Sequence, residues 1–156
     1  MRPTFVRRSV LGFGLGGAAA LVLGSGSRSY AATMEFKADL KGSSEVPPNR
    51  STGTGSVTAT FDPATKQLTW NGTYSGLTGP ATAAHIHGPA EPGKNAGVLV
   101  WLSDHDTKAH PFTSPFKGSA TLTDAQASDL QNGLLYVNIH TAANPGGELR
   151  GQLVKG

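Results

Sequence analysis

The chain has 156 residues, no cysteine, 37% hydrophobic residues and a formal charge of +3, which suits one hydrophobic core and excludes a large multidomain enzyme. Residues 1–31 hold Arg2, Arg7, Arg8 and Arg28 and no acid, so the remaining 125 residues carry 9 basic and 10 acidic groups, a net of −1. A near-neutral domain without a basic run lacks the electrostatic footprint of a nucleic-acid binder, and the absence of cysteine rules out thiol chemistry and disulfides.

The first element in the chain is an address. Arg7-Arg8 precede an apolar run from Val10 to Leu23, and Ser29-Tyr30-Ala31-Ala32 offer a small-residue cleavage site after Ala31. The run is short and diluted by Gly12, Gly14, Gly16 and Gly17, whereas a membrane span needs about 20 predominantly apolar residues. Paired arginines before a glycine-rich stretch resemble a bacterial twin-arginine signal. A general secretory signal and an uncleaved anchor are the alternatives. All three predict an exported domain (periplasmic, cell-surface or secreted), with residues 1–31 as signal and 32–156 as the domain, and no membrane span in the mature chain.

From Met34 onward, short alternating runs separated by Gly, Pro and Asn predict an all-β domain, a Greek-key antiparallel sandwich or barrel of about eight strands. The strands are expected near 34–42, 55–62, 67–75, 82–88, 97–103, 115–122, 134–140 and 147–154. In the second, Val57, Ala59 and Phe61 alternate with Thr58 and Thr60; in the third, Leu68, Trp70 and Tyr74 alternate with Thr69, Asn71 and Thr73. Each therefore has one core face and one wet face. Asp62-Pro63-Ala64-Thr65-Lys66 reads as the hairpin between them. One short helix is expected, because Thr123 and Gln126 form a capping-box pair, Ala125, Ala127, Leu130 and Leu134 recur at helical spacing, and Asn132-Gly133 ends the segment.

Five histidines punctuate this pattern. In Ala84-His85-Ile86-His87, the period of two puts Ala84 and Ile86 on one face and both imidazoles on the other. In Leu135-Tyr136-Val137-Asn138-Ile139-His140, the apolar residues again share a face and leave Tyr136, Asn138 and His140 opposite. If the two strands are neighbours, His85, His87 and His140 converge outside the core as a three-nitrogen surface site with an open position. Imidazole donors without sulfur suit copper first and zinc as the alternative. Surface histidines or a hydrogen-bonded structural pair are the other reading of an H-x-H strand.

His105 and His110, in a loop rich in potential ligands, are candidates for an additional ligand. Asn138 and Tyr136 stand where they can orient a ligand histidine, with cross-strand packing as their plainer role. Trp70, Trp101 and Phe61 read as core or rim packing. Pro145-Gly146 sets a tight turn before a strand with Leu149, Gly151 and Leu153 on one face and Glu148, Arg150 and Gln152 on the other. Arg150 is a candidate guide for an anionic ligand. Glu148 is expected in a modest surface ion pair.

Ala84-His85-Ile86-His87-Gly88-Pro89-Ala90, Gly97-Val98-Leu99-Val100, the run from Leu130 to Thr141, and Asn144-Pro145-Gly146-Gly147-Glu148-Leu149-Arg150-Gly151-Gln152 together resemble the CHRD domain, named from chordin. The resemblance spans roughly Met34 to Lys155. It implies an extracellular β domain, usually without an assigned enzymatic activity. Copper-zinc superoxide dismutases offer a weaker likeness: an H-x-H strand, a later strand ending in histidine, and a glycine turn before a final strand with arginine. That likeness implies His85, His87 and His140 as copper ligands, but the bridging histidine, zinc loop and disulfide cysteines are not evident. No paired carboxylates, G-x-S-x-G sequence or phosphate loop points to hydrolase or nucleotide chemistry. The expectation is a non-catalytic exported metal-binding domain. A copper enzyme acting on superoxide and an interaction module for an extracellular protein or polysaccharide are the alternatives.

Overall fold

The computed structural model describes residues 32–103 and 112–156. They form β1 (Met34–Lys41), β2 (Thr54–Asp62), β3 (Gln67–Ser75), β4 (Ala81–His87), β5 (Val98–Trp101), β6 (Phe116–Thr121), α1 (Asp124–Gln131), β7 (Tyr136–Thr141), β8 (Leu149–Gln152) and β9 (Val154–Lys155), with a 3-10 turn at Gly42–Ser44. The strands pair antiparallel in one sheet of order β5-β4-β7-β8-β1-β2-β3-β6, with β9 added to β1, and the sheet curls into a nearly closed barrel. The expected leader and the loop carrying His105 and His110 lie outside the described residues. Among the described residues no helix is long and apolar enough to cross a membrane.

Alternation puts Val57, Ala59 and Phe61 of β2 in the core opposite Leu68 and Trp70 of β3, each at most 4% exposed. Ala84 and Ile86 of β4 and Val137 and Ile139 of β7 extend the same core. Burial of such side chains stabilises by about 1.5–3 kcal/mol each for the larger ones. Slipping β4 by one residue against β7 would turn Ala84 and Ile86 outward while Val137 and Ile139 stayed in the core. Core burial therefore locks the register His87↔Tyr136, His85↔Asn138 and Ala83↔His140.

Two expectations need correction. The last strand is broken rather than continuous: β8 pairs with β7 and shares a ladder pair with β1 only at Lys41↔Arg150, whereas β9 pairs with Phe36 and Lys37 of β1. The break falls at Leu153, whose side chain is fully buried and whose N–H bonds to the Leu135 carbonyl instead of the ladder. In α1 only Ala127 and Leu130 face the core, while Ala125 is exposed and Leu134 lies beyond the helix end. Eight residues are two turns and present only a narrow stripe. The capping box forms as expected, with Thr123 Oγ1 accepting from the Gln126 N–H and Gln126 Oε1 accepting from the Thr123 N–H. Gly133, at φ 71°, takes the left-handed position after the helix.

Between β3 and β6, large rings lie over opposing glycines: Trp70 pairs with Gly118 and Phe116 with Gly72. A methyl group on Gly118 would stand 2.6 Å from the Trp70 indole. Gly118→Ala is therefore expected to cost about 1–3 kcal/mol through overpacking, seen as a lower urea midpoint with an unchanged denaturant slope; an unchanged midpoint would contradict this packing.

Candidate metal centre

The β4–β7 pairing brings His85, His87 and His140 to one face, with one ligand atom from each within 4.8 Å of the others. His85 Nδ1 and His140 Nε2 are 3.0 Å apart. Metal–imidazole bonds of about 2.0–2.1 Å place neighbouring nitrogens about 3.3–3.6 Å apart in a trigonal or tetrahedral sphere. The first pair, at hydrogen-bond distance, lies just inside that range, and the third nitrogen lies within 4.8 Å of both.

This face is not the open surface expected from the strand pattern. His85 is 7% and His87 8% exposed, and His140 is half-buried. The segment Gly88–Gly97 folds back across it, tied by Gly88 N–H to Gly97 O and by Ala90 N–H to Leu134 O. Alternation reports which side of a sheet a residue takes but not whether a later loop covers that side.

Backbone carbonyls choose the nitrogen that each ring presents. His140 Nδ1 lies 2.9 Å from the Pro145 carbonyl, which leaves Nε2 for the cluster. His87 Nδ1 lies 3.0 Å from the Ala96 carbonyl, while its Nε2 is 3.0 Å from Asn138 Oδ1. Burial pushes His87 below the usual imidazole pKa, against its bonds to Ala96 and Asn138, and the Arg150 charge lowers it further. Burial likewise lowers His140, against its bond to Pro145, with His87 adding to the fall. The two rings are therefore neutral near pH 7, the state a metal requires.

A neutral His87 has one N–H for two oxygen neighbours. The Ala96 carbonyl cannot turn, whereas the Asn138 amide can rotate to offer its NH2. The proton therefore belongs on Nδ1, and the Nε2 lone pair accepts from the Asn138 amide, which a metal would displace. Tyr136 supports this arrangement in two ways. Its ring stacks on His87 at 3° and 5.0 Å, and its hydroxyl accepts from the Ala96 N–H at 3.1 Å. Asn138 and Tyr136 thus both touch a candidate ligand histidine, and Trp101 meets His85 edge-on at 4.2 Å from the rim, 40% exposed.

Arg150 does not face the cluster as a free guide. Tyr136 lies on the strand between them, with the guanidinium 3.5 Å from its ring centroid. Its Nη1 donates to Asn95 Oδ1 and its Nη2 to the Lys94 carbonyl, and the residue is only 2% exposed.

Glu148 is also misread as a surface ion-pair member, because it is fully buried. Its carboxylate accepts from the hydroxyls of Ser51, Thr78 and Thr141, the Thr78 N–H and the Asn144 amide. Burial would raise its pKa, but the donors outweigh burial and bring it down to about 2. These bonds hold the turn that carries Pro145, and so the carbonyl that orients His140. The sequence clue is local: Thr141, Asn144 and Glu148 bracket the turn that follows the histidine.

A small antiparallel β barrel with three imidazoles gathered on paired strands defines a β domain with a candidate metal centre. The family model described as the CHRD domain matches residues 36–153, and the chain belongs to that family. No curated protein and no solved structure matches the chain.

Nitrogen-correlated imidazole spectra of the metal-free protein are expected to show the Nδ1–H tautomer at both His87 and His140; an Nε2–H tautomer at either would overturn the assignment of ligand atoms. Glu148→Gln is expected to lose about 2–3 kcal/mol at pH 7, the scale of hydrogen bonds to a charged group. Because the folded pKa lies below the ordinary 4.5, that contribution is complete above pH 4.5 and disappears as pH falls through 2. Urea titrations of both forms across this window check it, and parallel curves would refute it.

Proposed function

We propose that this CHRD-domain protein is exported and binds one metal ion, copper in preference to zinc, through His85, His87 and His140, serving storage, delivery or protection rather than catalysis. The observation that carries the reading is the convergence of three imidazoles from two core-locked strands, with His87 and His140 each held on the outer nitrogen by a backbone carbonyl. Second contacts of this kind fix ring orientation in metal sites and raise ligand basicity. Copper is favoured because an all-nitrogen set has no thiolate or carboxylate to bias it, and divalent copper outranks zinc on such donors. Export is supported by Arg7-Arg8 and the apolar run that follows.

A copper site acting on superoxide needs an open ligand position and a positive group near it. The engagement of Arg150 beneath Tyr136 counts against that guide. A carrier is therefore the stronger reading.

Purified protein loaded with copper or zinc and freed of excess ion is expected to hold about one ion per chain, falling to near zero in the His85→Ala/His87→Ala variant. Equal metal content in the two would sink the metal reading and leave an interaction module for protein or polysaccharide. With copper bound, superoxide consumption above the free-ion background would replace the carrier with an enzyme.

A further inference from the structure

A second polar site lies on the far side of Tyr136 from the imidazoles. Segment 42–48 and the turn at Pro92-Gly93 face each other across a cleft of about 400 Å³ floored by Arg150 and Gln152 of β8. Asn95 Nδ2 donates to the Val46 carbonyl at 2.9 Å and ties the two walls together. A volume of this size is within the range of small-molecule sites.

Two buried groups line the cleft without their usual partners. Arg150 is 2% exposed, and among the described residues the only ion pair is Lys66 with Asp124. Its two hydrogen bonds go to neutral oxygens, on Asn95 and Lys94, although a guanidinium has five N–H donors. A buried cation with no ion-pair contact is costly, and the face of Tyr136 offsets only part of that cost. Glu45, 5% exposed, is the second group, and its Oε1 makes no hydrogen bond. Burial raises its pKa to about 7, against the Arg150 charge and the Val46 N–H, so in mildly acidic solution it remains a neutral acid able to donate. Its carboxyl packs so closely on Gly147 that a methyl group there would stand 2.3 Å from Oε1.

We propose that this cleft binds a small organic carboxylate, whose oxygens meet the Arg150 guanidinium and the Glu45 carboxyl while its carbon body lies against Pro48 and Pro92. A carboxylate supplies the missing negative charge, and a guanidinium fork matches its two oxygens. A neutral polar ligand would leave the arginine uncompensated, and a cation would be repelled by it. Ser43 and Ser44 at the mouth add hydroxyl donors. The proposal does not depend on the metal reading, because Tyr136 separates the two sites.

The test titrates the metal-free full chain, so that no ligand is read through a metal, with sodium propionate, propionamide and sodium chloride at equal ionic strength. Arginine side-chain nitrogen spectra are followed at pH 6. Propionate is expected to shift the Arg150 resonance saturably, with propionamide and chloride weaker by about tenfold or more. Ser44→Glu alters only an exposed position and sets a like charge at the mouth. It is expected to weaken propionate about tenfold while the fold stays intact. Propionamide acting as strongly as propionate, or propionate unaffected by Ser44→Glu, would overturn the proposal. Arg150→Lys, if it folds, is expected to lose most of the affinity as the planar fork is removed; binding within threefold of the unmodified chain would count against the site.

Discussion

Everything distinctive about this domain depends on the register between β4 and β7. Ala84 and Ile86 on one strand and Val137 and Ile139 on the other bury their side chains on the inner face. The period of two then obliges His85, His87, Asn138 and His140 to share the outer face. No attraction among the imidazoles is needed to assemble them. Hydrophobic burial sets the geometry, and the polar groups inherit it.

What surrounds those rings gives them chemical character. A cluster of imidazoles in open water would remain hydrated and mobile. Here the Gly88–Gly97 segment brings the Ala96 carbonyl to His87, and the turn after β7 brings the Pro145 carbonyl to His140. Each carbonyl is steadied by a buried side chain, Tyr136 in one case and Glu148 in the other. Burial favours the neutral form of both rings, while the carbonyls decide which nitrogen carries the proton. Orientation and protonation thus come from different parts of the chain and act on the same two residues.

Tyr136 also divides the outer face. On its β4 side it stacks with His87, and on its β8 side it receives Arg150. The arginine is an expensive group to bury, and an aromatic face and two neutral oxygens offset only part of that cost. Its place in the last strand suggests a role near the histidines when only sequence order is considered. The intervening strand redirects it into a neighbouring cleft with Glu45, a residue whose chemical interest comes wholly from its burial.

The amino-acid sequence was sufficient for the β class, the near positions of the strands, the capped helix, the family resemblance and the three histidines. These depend on short-range regularities, namely alternation, turn residues and motif spacing. Tertiary structure alone decided that β4 and β7 are neighbours, that a loop covers their outer face, that Arg150 lies behind Tyr136, and that Glu148 is buried among hydroxyl donors. Such outcomes depend on contacts between residues as far apart as Ser51 and Glu148. Local patterning states the face on which a side chain leaves the backbone, but only the closure of the whole chain determines what meets it there.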